Sequence, residues 1–429
     1  MAAQVLTPVE EALKAYLSRL SEALKPLPAE EVPVPEGALG RVLAEDVVAP
    51  VDLPPFNRAV MDGYAVRAED TFGAKPDKPA RLKLVGRVAA GQASPGLKIG
   101  PGECAEVATG AALPEGANAV VRAEYARADS DSGVVEVYMP VSPGESVDEA
   151  GRDVKAGQAA LERGRLLRAP DIALLLALGL RSVKVFRRPK VGVLAIGSEL
   201  VNVSEEPGPG QIRDVDRPMI MLMAMELGAE PVDLGIAPDD AGAIREVLLR
   251  GLEACDVVLT TGGASVGRAD LAVEAIRGLE GAEVIVHRVA MRPGRPVALA
   301  LARGKPIIAL PGPPAACFLA FQVFARPVLL KLMGVREGLE PIWPTVRARL
   351  ARRVPSKVGF TDLVRVRLLR GPSGGLIAEP LAARGAGIIS SLARANGILA
   401  IPGELDVLEE GEEVEVLLLS CPELAEVHA

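Results

Sequence analysis

The sequence predicts a multidomain α+β and α/β protein. It has a complex β-rich N-terminal region, a central α/β domain with a mostly parallel sheet covered by helices, and a small C-terminal β-barrel. Three observations carry this reading. The chain has 429 residues, which at roughly 150 residues per domain allows about three cores. Between Lys190 and Leu332, short apolar runs alternate with helical stretches, the pattern of strand–helix units. On both sides of that stretch, Val-rich runs are broken by Pro and Gly turns, which is β texture. The divisions expected are residues 1–187, read as two subdomains with a β insertion at about 51–149; 188–335; and 336–429.

In chain order, Thr7-Pro8 followed by Glu10-Glu11 reads as a capped helix start, with Thr7 as N-cap and Pro8 at the first helical position. Residues 26–60 are Pro-rich with short extended pieces, and 80–165 carry strands such as Leu82–Val88, Glu103–Ala108 and Val134–Met139. The apolar run around Ile172–Leu180 reads as a buried helix. In the central part, strands are expected at Val191–Ile196, Pro231–Gly235, Asp256–Thr260, Glu283–Val289, Val297–Ala302 and Pro306–Leu310. Helices are expected at Arg217–Leu227, Ala241–Leu252, Leu271–Gly278 and Ala315–Leu332. Five further strands between Thr345 and Leu419 make the C-terminal module.

Composition removes several kinds of chemistry. Two histidines, His287 and His428, leave almost no room for histidine-based triads or metal sites. Cys104, Cys255, Cys317 and Cys421 show no C-x-x-C spacing, so they read as small buried apolar residues of a reducing compartment. A formal charge of −8 argues against nucleic acid or an anionic membrane as the main partner. No uninterrupted apolar run reaches the ~20 residues that span a bilayer, and the N-terminus has no basic leader. The expected location is cytoplasmic. Basic residues gather between Arg347 and Arg370 and acidic ones between Glu404 and Glu426, either as two solvated faces of one module or as a basic flank for an anionic ligand.

What remains is chemistry by carboxylates, hard cations, backbone amides and guanidinium groups. In open α/β sheets, ligands bind beyond the carboxyl ends of the strands. Three loops lie there: Gly197-Ser198-Glu199-Leu200, Thr261-Gly262-Gly263-Ala264-Ser265-Val266-Gly267 leading to Asp270, and Pro311-Gly312-Pro313-Pro314. The second, with its glycines and hydroxyls, reads either as an anion cradle or as an ordinary strand-to-helix turn. Asp270 alone reads as a helix cap. In the N-terminal region, Phe56–Val66 concentrates Arg58, Asp62 and Tyr64, and a loop salt bridge between Arg58 and Asp62 is the bland alternative. Thr109-Gly110 follows a strand, and Asp153 sits in a turn. His287 reads as a core histidine.

Taken in order, FNRAVMDGYAVR, ATGAALPEGANAVVRAE, GRDVKAG, VLAIGSEL, DVVLTTGGASVGRAD, RPGRPVALA and LPGPPA resemble the molybdopterin molybdenumtransferases, the MoeA family that includes the gephyrin E-domain. The resemblance spans nearly the whole chain. It implies insertion of molybdate into adenylylated molybdopterin with Mg²⁺-dependent release of AMP, the last step of molybdenum cofactor synthesis. It also implies an elongated homodimer whose active-site clefts are shared between subunits. Carried over by motif, Asp62, Thr109, Asp153, Glu199, Asp239 and Asp270 would be the acidic and hydroxyl residues of the site, with Asp239 (or its neighbour Asp240) and Asp270 holding Mg²⁺. Gly262, Gly263, Ser265 and Gly267 would cradle phosphate. Arg292 and Arg295 stand where the family often has lysines, and Pro311, Pro314, Arg365 and Ser390 match further ligand-facing positions. The sequence departs from the family at Pro313, Ala315 and Ala316, where the usual pattern carries an asparagine and a hydroxyl, and at Glu149-Ala150, where arginines are common. Alternatives from the same resemblance are molybdopterin adenylyltransferase, which shares the α/β domain, and a non-catalytic dimeric scaffold. The adenylyltransferase and acceptor molybdoenzymes are the implied protein partners.

Overall fold

Six strands in the middle of the chain form one sheet, in the order Glu230–Ala237, Lys190–Ile196, Val257–Gly262, Lys305–Leu310, Ala298–Ala302 and Glu283–His287. The computed structural model describes residues 6–21, 24–91, 96–263, 270–336, 344–371, 374–381, 387–419 and 425–426. Five of the six strands run parallel, and Ala298–Ala302 runs against them. The reversal comes from a two-residue hairpin at Arg303 and Gly304, both with positive φ (50° and 73°), the turn that matches the twist of paired strands. The inner strands are near-continuous apolar runs because helices cover both faces. Ala241–Ala254 and Leu271–Arg277 bury Ile244, Leu248, Leu252 and Ile276 on one face. Asp216–Glu226 and the long helix beginning at Pro314 cover the other.

The long helix runs from Pro314 to Leu332 and is long and apolar enough to cross a bilayer. Its Cys317, Leu319, Phe321, Phe324 and Leu329 are spent in the main core instead. A π turn at Phe321–Ala325 shifts its hydrogen-bond register just before Pro327, which has no N–H for the carbonyl four residues back. The first helix spans Val9–Arg19 without a side-chain cap, and Pro8 rather than Thr7 is its N-cap. The expected Thr7 cap fails because Thr7 is extended and pairs with Val289, its N–H donating to the Arg288 carbonyl and its carbonyl accepting from Ala290. This helix packs on the central sheet, where Ala12, Tyr16 and Leu20 are fully buried. The Tyr16 hydroxyl donates towards the carbonyls of Ala300 (3.1 Å) and Ile307 (3.3 Å).

The remaining N-terminal residues form two bodies. Ala29–Pro33 pairs with Ser182–Phe186, and Val47–Val48 with Ala159–Leu161, so the chain leaves this small body and returns to it. Between departure and return lies a six-stranded sheet ordered Ala119–Arg122, Gly63–Val66, Glu103–Val107, Ala80–Val88, Val134–Val137, Ala126–Asp129. Its two faces have their own cores, around Leu82 and Val135 and around Val88 and Val107. Among the described residues this inserted module shares no strand pairing and no apolar cluster with the central domain. The small body does dock there. Phe186 packs with Leu330 and Met333, and Arg187 holds Asp256 by two 2.9 Å hydrogen bonds. A Cβ on Gly334 (φ 74°) would lie 2.4 Å from the Phe186 ring.

The C-terminal module closes as a five-stranded barrel. Thr345–Leu350 pairs with Leu376–Pro380, then come Thr361–Arg370, Gly397–Ile401 and Glu413–Leu418, which returns to Thr345–Leu350. The two charge blocks meet across the closing ladder, with Arg347 3.3 Å from Glu413, and beside the short pairing of Val354–Pro355 with Val407–Leu408, with Arg353 3.1 Å from Glu409. The opposite-charge blocks therefore serve cross-strand pairing. Met291–Arg292 of the central domain pairs in parallel with Thr361–Asp362 of the barrel.

Replacing Tyr16 with Phe leaves two buried carbonyls without that donor and should cost about 1 kcal/mol of stability with little change of fold, read by urea denaturation.

Candidate active site

Because five strands run the same way, their carboxyl ends lie on one edge of the sheet, and almost every central candidate is found there. Glu199 follows Lys190–Ile196, Asp239 follows Glu230–Ala237, and Gly262-Gly263 end Val257–Gly262. Pro311 to Pro314 follow Lys305–Leu310, and Arg292 and Arg295 follow Glu283–His287. The strand order reverses between Lys190–Ile196 and Val257–Gly262, and the loops close in tightly at that point. A Cβ on Gly262 (φ 80°) would stand 2.4 Å from the Ile196 carbonyl oxygen, and one on Gly263 (φ 69°) 2.9 Å from the Ile196 side chain. A Cβ on Gly312 would stand 3.3 Å from Gly262 Cα. Only glycine permits this convergence, which leaves backbone amides at the crevice. Ser265 and Gly267 lie outside the described residues.

The acids on this edge are differently committed. Ser198 and Asp239 bond reciprocally: the Ser198 N–H donates to Asp239 Oδ2 (3.2 Å) and the Asp239 N–H donates to Ser198 Oγ (2.9 Å). Neighbouring Asp240 caps Ala241–Ala254 through the Ala243 N–H at 2.7 Å. Glu199 is exposed, its carboxylate folded back over Gly197. Asp270 caps Leu271–Arg277 through the Val273 N–H (3.3 Å), and its other oxygen lies 2.9 Å from His287 Nε2. Instead of the core role expected for it, His287 pairs with a candidate acid. The signal was available in sequence only as the first of two histidines, at the end of a strand.

Below the Glu199 loop is a charged group that sequence reading missed. Arg217 is buried and reaches Asp214 (2.8 Å), Asn202 (2.9 Å) and Asp233, fastening residues 200–214 to a neighbouring strand. Asp216, also buried, has an oxygen with no hydrogen-bond partner among the described residues. Burial, with Asp214 nearby, pushes its carboxyl up to about 7. The trace in sequence is Asp-Val-Asp-Arg at a helix start.

Arginines stand on the side towards the barrel. A Cβ on Gly294 (φ 124°) would collide with Met291, so glycine is required between Arg292 and Arg295. Arg295 has a buried Nε with no partner among the described residues, a donor suited to an oxyanion. Arg365 is buried in Thr361–Arg370, and burial lowers its affinity for its proton. The short helix Ile389–Arg394 packs against both that strand and the helix starting at Pro314. It leaves Ser390 exposed, while the Ser391 hydroxyl is turned to the Ile388 carbonyl. Pro313 and Pro314 start the long helix, and Ala315 and Ala316 are buried.

The N-terminal candidates form a separate rim. Asp62 Oδ1 accepts from the Thr109 N–H (2.7 Å) and hydroxyl (2.8 Å), and these bonds, the backbone one foremost, hold the Asp62 carboxyl below the usual range. Arg58 does not pair with Asp62. It reaches Asp148 Oδ2 with Nε (3.0 Å) and Nη2 (2.8 Å), because Arg58–Ala59 lies beside Val147–Asp148 in a two-stranded ladder. The turn carrying Asp153 is tied to the same rim through the Leu53 carbonyl. The described thiols, Cys104, Cys255 and Cys317, are buried and free, and burial raises all three, Cys104 to about 12.

A glycine crevice, acids and arginines on one α/β sheet edge, joined to a β-rich region and a barrel, define a multidomain enzyme that handles an anionic substrate. Comparison with known proteins makes this specific. The MoeA N-terminal region (domain I and II) matches residues 7–179, a "Probable molybdopterin binding domain" matches 192–331, and the MoeA C-terminal region (domain IV) matches 347–419. The molybdopterin molybdenumtransferase of Bacillus subtilis is 35% identical over 386 residues, 90% of this chain and 88% of that protein. The molybdopterin biosynthesis MoeA protein of Pyrococcus horikoshii OT3 superimposes with a TM-score of 0.83 at 34% identity, covering 96% of this chain and all of that one. The chain belongs to the MoeA family, transferases of molybdenum cofactor biosynthesis.

Two outcomes test this electrostatic description. Removing the hydroxyl in Thr109→Ala should raise the Asp62 pKa part of the way to the ordinary carboxylate value, since the backbone N–H remains, as followed by NMR titration. Asp216 binds a proton on folding between its unfolded pKa near 4 and its folded value of about 7, so its contribution favours folding at low pH and is lost as pH rises through that window. Asp216→Asn should therefore improve stability at pH 8 relative to pH 5 by on the order of 2 kcal/mol, measured by denaturation at the two pH values.

Proposed function

We propose that the protein inserts molybdate into adenylylated molybdopterin and releases AMP. The observation that supports this reading is the shared carboxyl edge of the parallel sheet, along which the Gly262-Gly263 turn, Glu199, Asp239, Arg292 and Arg295 lie. The Gly262-Gly263 crevice supplies N–H donors to phosphate. Arg292, Arg295 and Arg365, with Ser390 beside them, hold the molybdate oxyanion and the charge developing on the leaving phosphate. Cysteine and histidine have no covalent part to play, since the substrate brings its own thiolates.

Mg²⁺ is part of the proposal; no cluster of three or more acidic, histidine or cysteine side chains occurs among the described residues, so the ion would be held by one or two carboxylates together with the substrate's own phosphate oxygens. Among the described residues Asp239 has one carboxylate oxygen outside its bond to Ser198, while Asp270 has both oxygens engaged and would reach a cation through water or by releasing His287. When bound, the ion would draw charge from the phosphoryl oxygens. Glu199 adds negative charge beside it.

Asp62, Thr109 and Asp153 lie on a module with its own cores, apart from the central sheet. Their placement supports a homodimer in which this rim completes the site of the second subunit. We assign the protein to the cytoplasm, consistent with its buried free thiols, and expect it to meet the adenylyltransferase that supplies its substrate and the molybdoenzymes that take its product.

The decisive experiment supplies adenylylated molybdopterin, molybdate and Mg²⁺ and measures AMP. AMP release should require all three. Asp62→Ala and Asp270→Ala should each slow it by roughly 100-fold, and variants as fast as wild type would remove both residues from the site. Product formation from ATP and unadenylylated molybdopterin would identify an adenylyltransferase instead.

A further inference from the structure

We propose that Asp362, in the barrel, is a positioning residue that fixes the guanidinium of Arg292, in the central domain, as a fork for the oxyanion. The two meet because Met291–Arg292 and Thr361–Asp362 are paired strands, held also by the Thr361 N–H donating to the Ala290 carbonyl at 2.9 Å. Asp362 is 5% exposed. One of its oxygens, Oδ2, accepts from the Ser356 hydroxyl at 2.8 Å. The other, Oδ1, has no hydrogen-bond partner among the described residues, and its counter-charge is Arg292 Nε at 3.3 Å. A buried carboxylate oxygen with one compensating cation restrains that cation strongly.

The atom used matters. Asp362 is approached by Nε, so the two terminal nitrogens of Arg292 are left for a ligand, and the Arg292 side chain remains 46% exposed. A guanidinium can be anchored at one nitrogen and present two others in a fixed plane, whereas a lysine would offer one ammonium to both tasks. Asp362 thus acts through Arg292 and need not touch the substrate.

This inference rests on the oxyanion reading above, and its test separates the two. Binding of molybdate alone is titrated calorimetrically to wild type, D362N, R292A and the double variant, with thermal unfolding midpoints recorded alongside. D362N should weaken molybdate binding about 10-fold, and in the R292A background it should have less than about twofold further effect, because the residue it positions is gone. In AMP release, D362N should raise the KM for molybdate by a similar factor and leave kcat within about twofold. If D362N does not fold, S356A, which removes the other bond to the same carboxylate, should weaken binding about 3-fold in the same direction. Unchanged binding in the folded variant, additive effects in the double variant, or no molybdate binding by wild type would overturn the proposal. A wild type that binds molybdate in this pattern without releasing AMP would instead overturn the functional reading and leave the positioning role standing.

Discussion

The close approach of three loops at the strand-order reversal is the constraint on which the site depends. Gly262 lies against the Ile196 carbonyl and Gly312 against Gly262, so the ends of three neighbouring strands meet with no side chain between them. Steric room, more than hydrogen bonding, sets this geometry. Parallel strands deliver their carboxyl ends to one edge, so the candidate acids and arginines are strung along that edge, from Asp239 beyond Glu230–Ala237 to Arg292 beyond Glu283–His287.

The supporting charges are arranged with different degrees of burial for different tasks. Exposed Asp62 is kept ionised by hydrogen bonds, which need no burial. Arg217 is enclosed and shared among Asp214, Asn202 and Asp233, fastening the Glu199 loop from below. Asp270 has its orientation set by a backbone N–H on one side and an imidazole on the other. The site is thus stiffened from beneath by ion pairs and left open above, where an anionic substrate would compete for the same groups.

Much of the architecture was legible in sequence because period and punctuation are local properties. The apolar run Val191–Ile196, the helix Ala241–Ala254 capped by Asp240, and the barrel strands fall where patterning places them. The antiparallel Ala298–Ala302 strand was not legible in direction, since an apolar run looks the same either way and the Arg303-Gly304 turn decides it. Thr7 failed as a cap because the distant segment around Val289 claimed its backbone. The site divides in the same way. Motif order singles out Asp62, Thr109 and the post-strand loops as candidates, whereas the partners of Arg58, Asp270 and Arg292 lie 17 to 90 positions off in sequence and depend on tertiary placement. The opposed charge blocks of the C-terminal module were visible, but only strand register shows that they face each other.

The first helix carries a consequence for how the protein is made. Its buried Tyr16 reaches carbonyls 284 and 291 positions later in the chain. During synthesis that helix must therefore wait, with its apolar face uncovered, until Ala298–Ala302 and Lys305–Leu310 have emerged. The inserted β module, whose strand partners all lie between Gly63 and Val137, can close long before. A helix made before the inserted module is secured long after it, and the interval between the two is when this chain most needs protection from its neighbours.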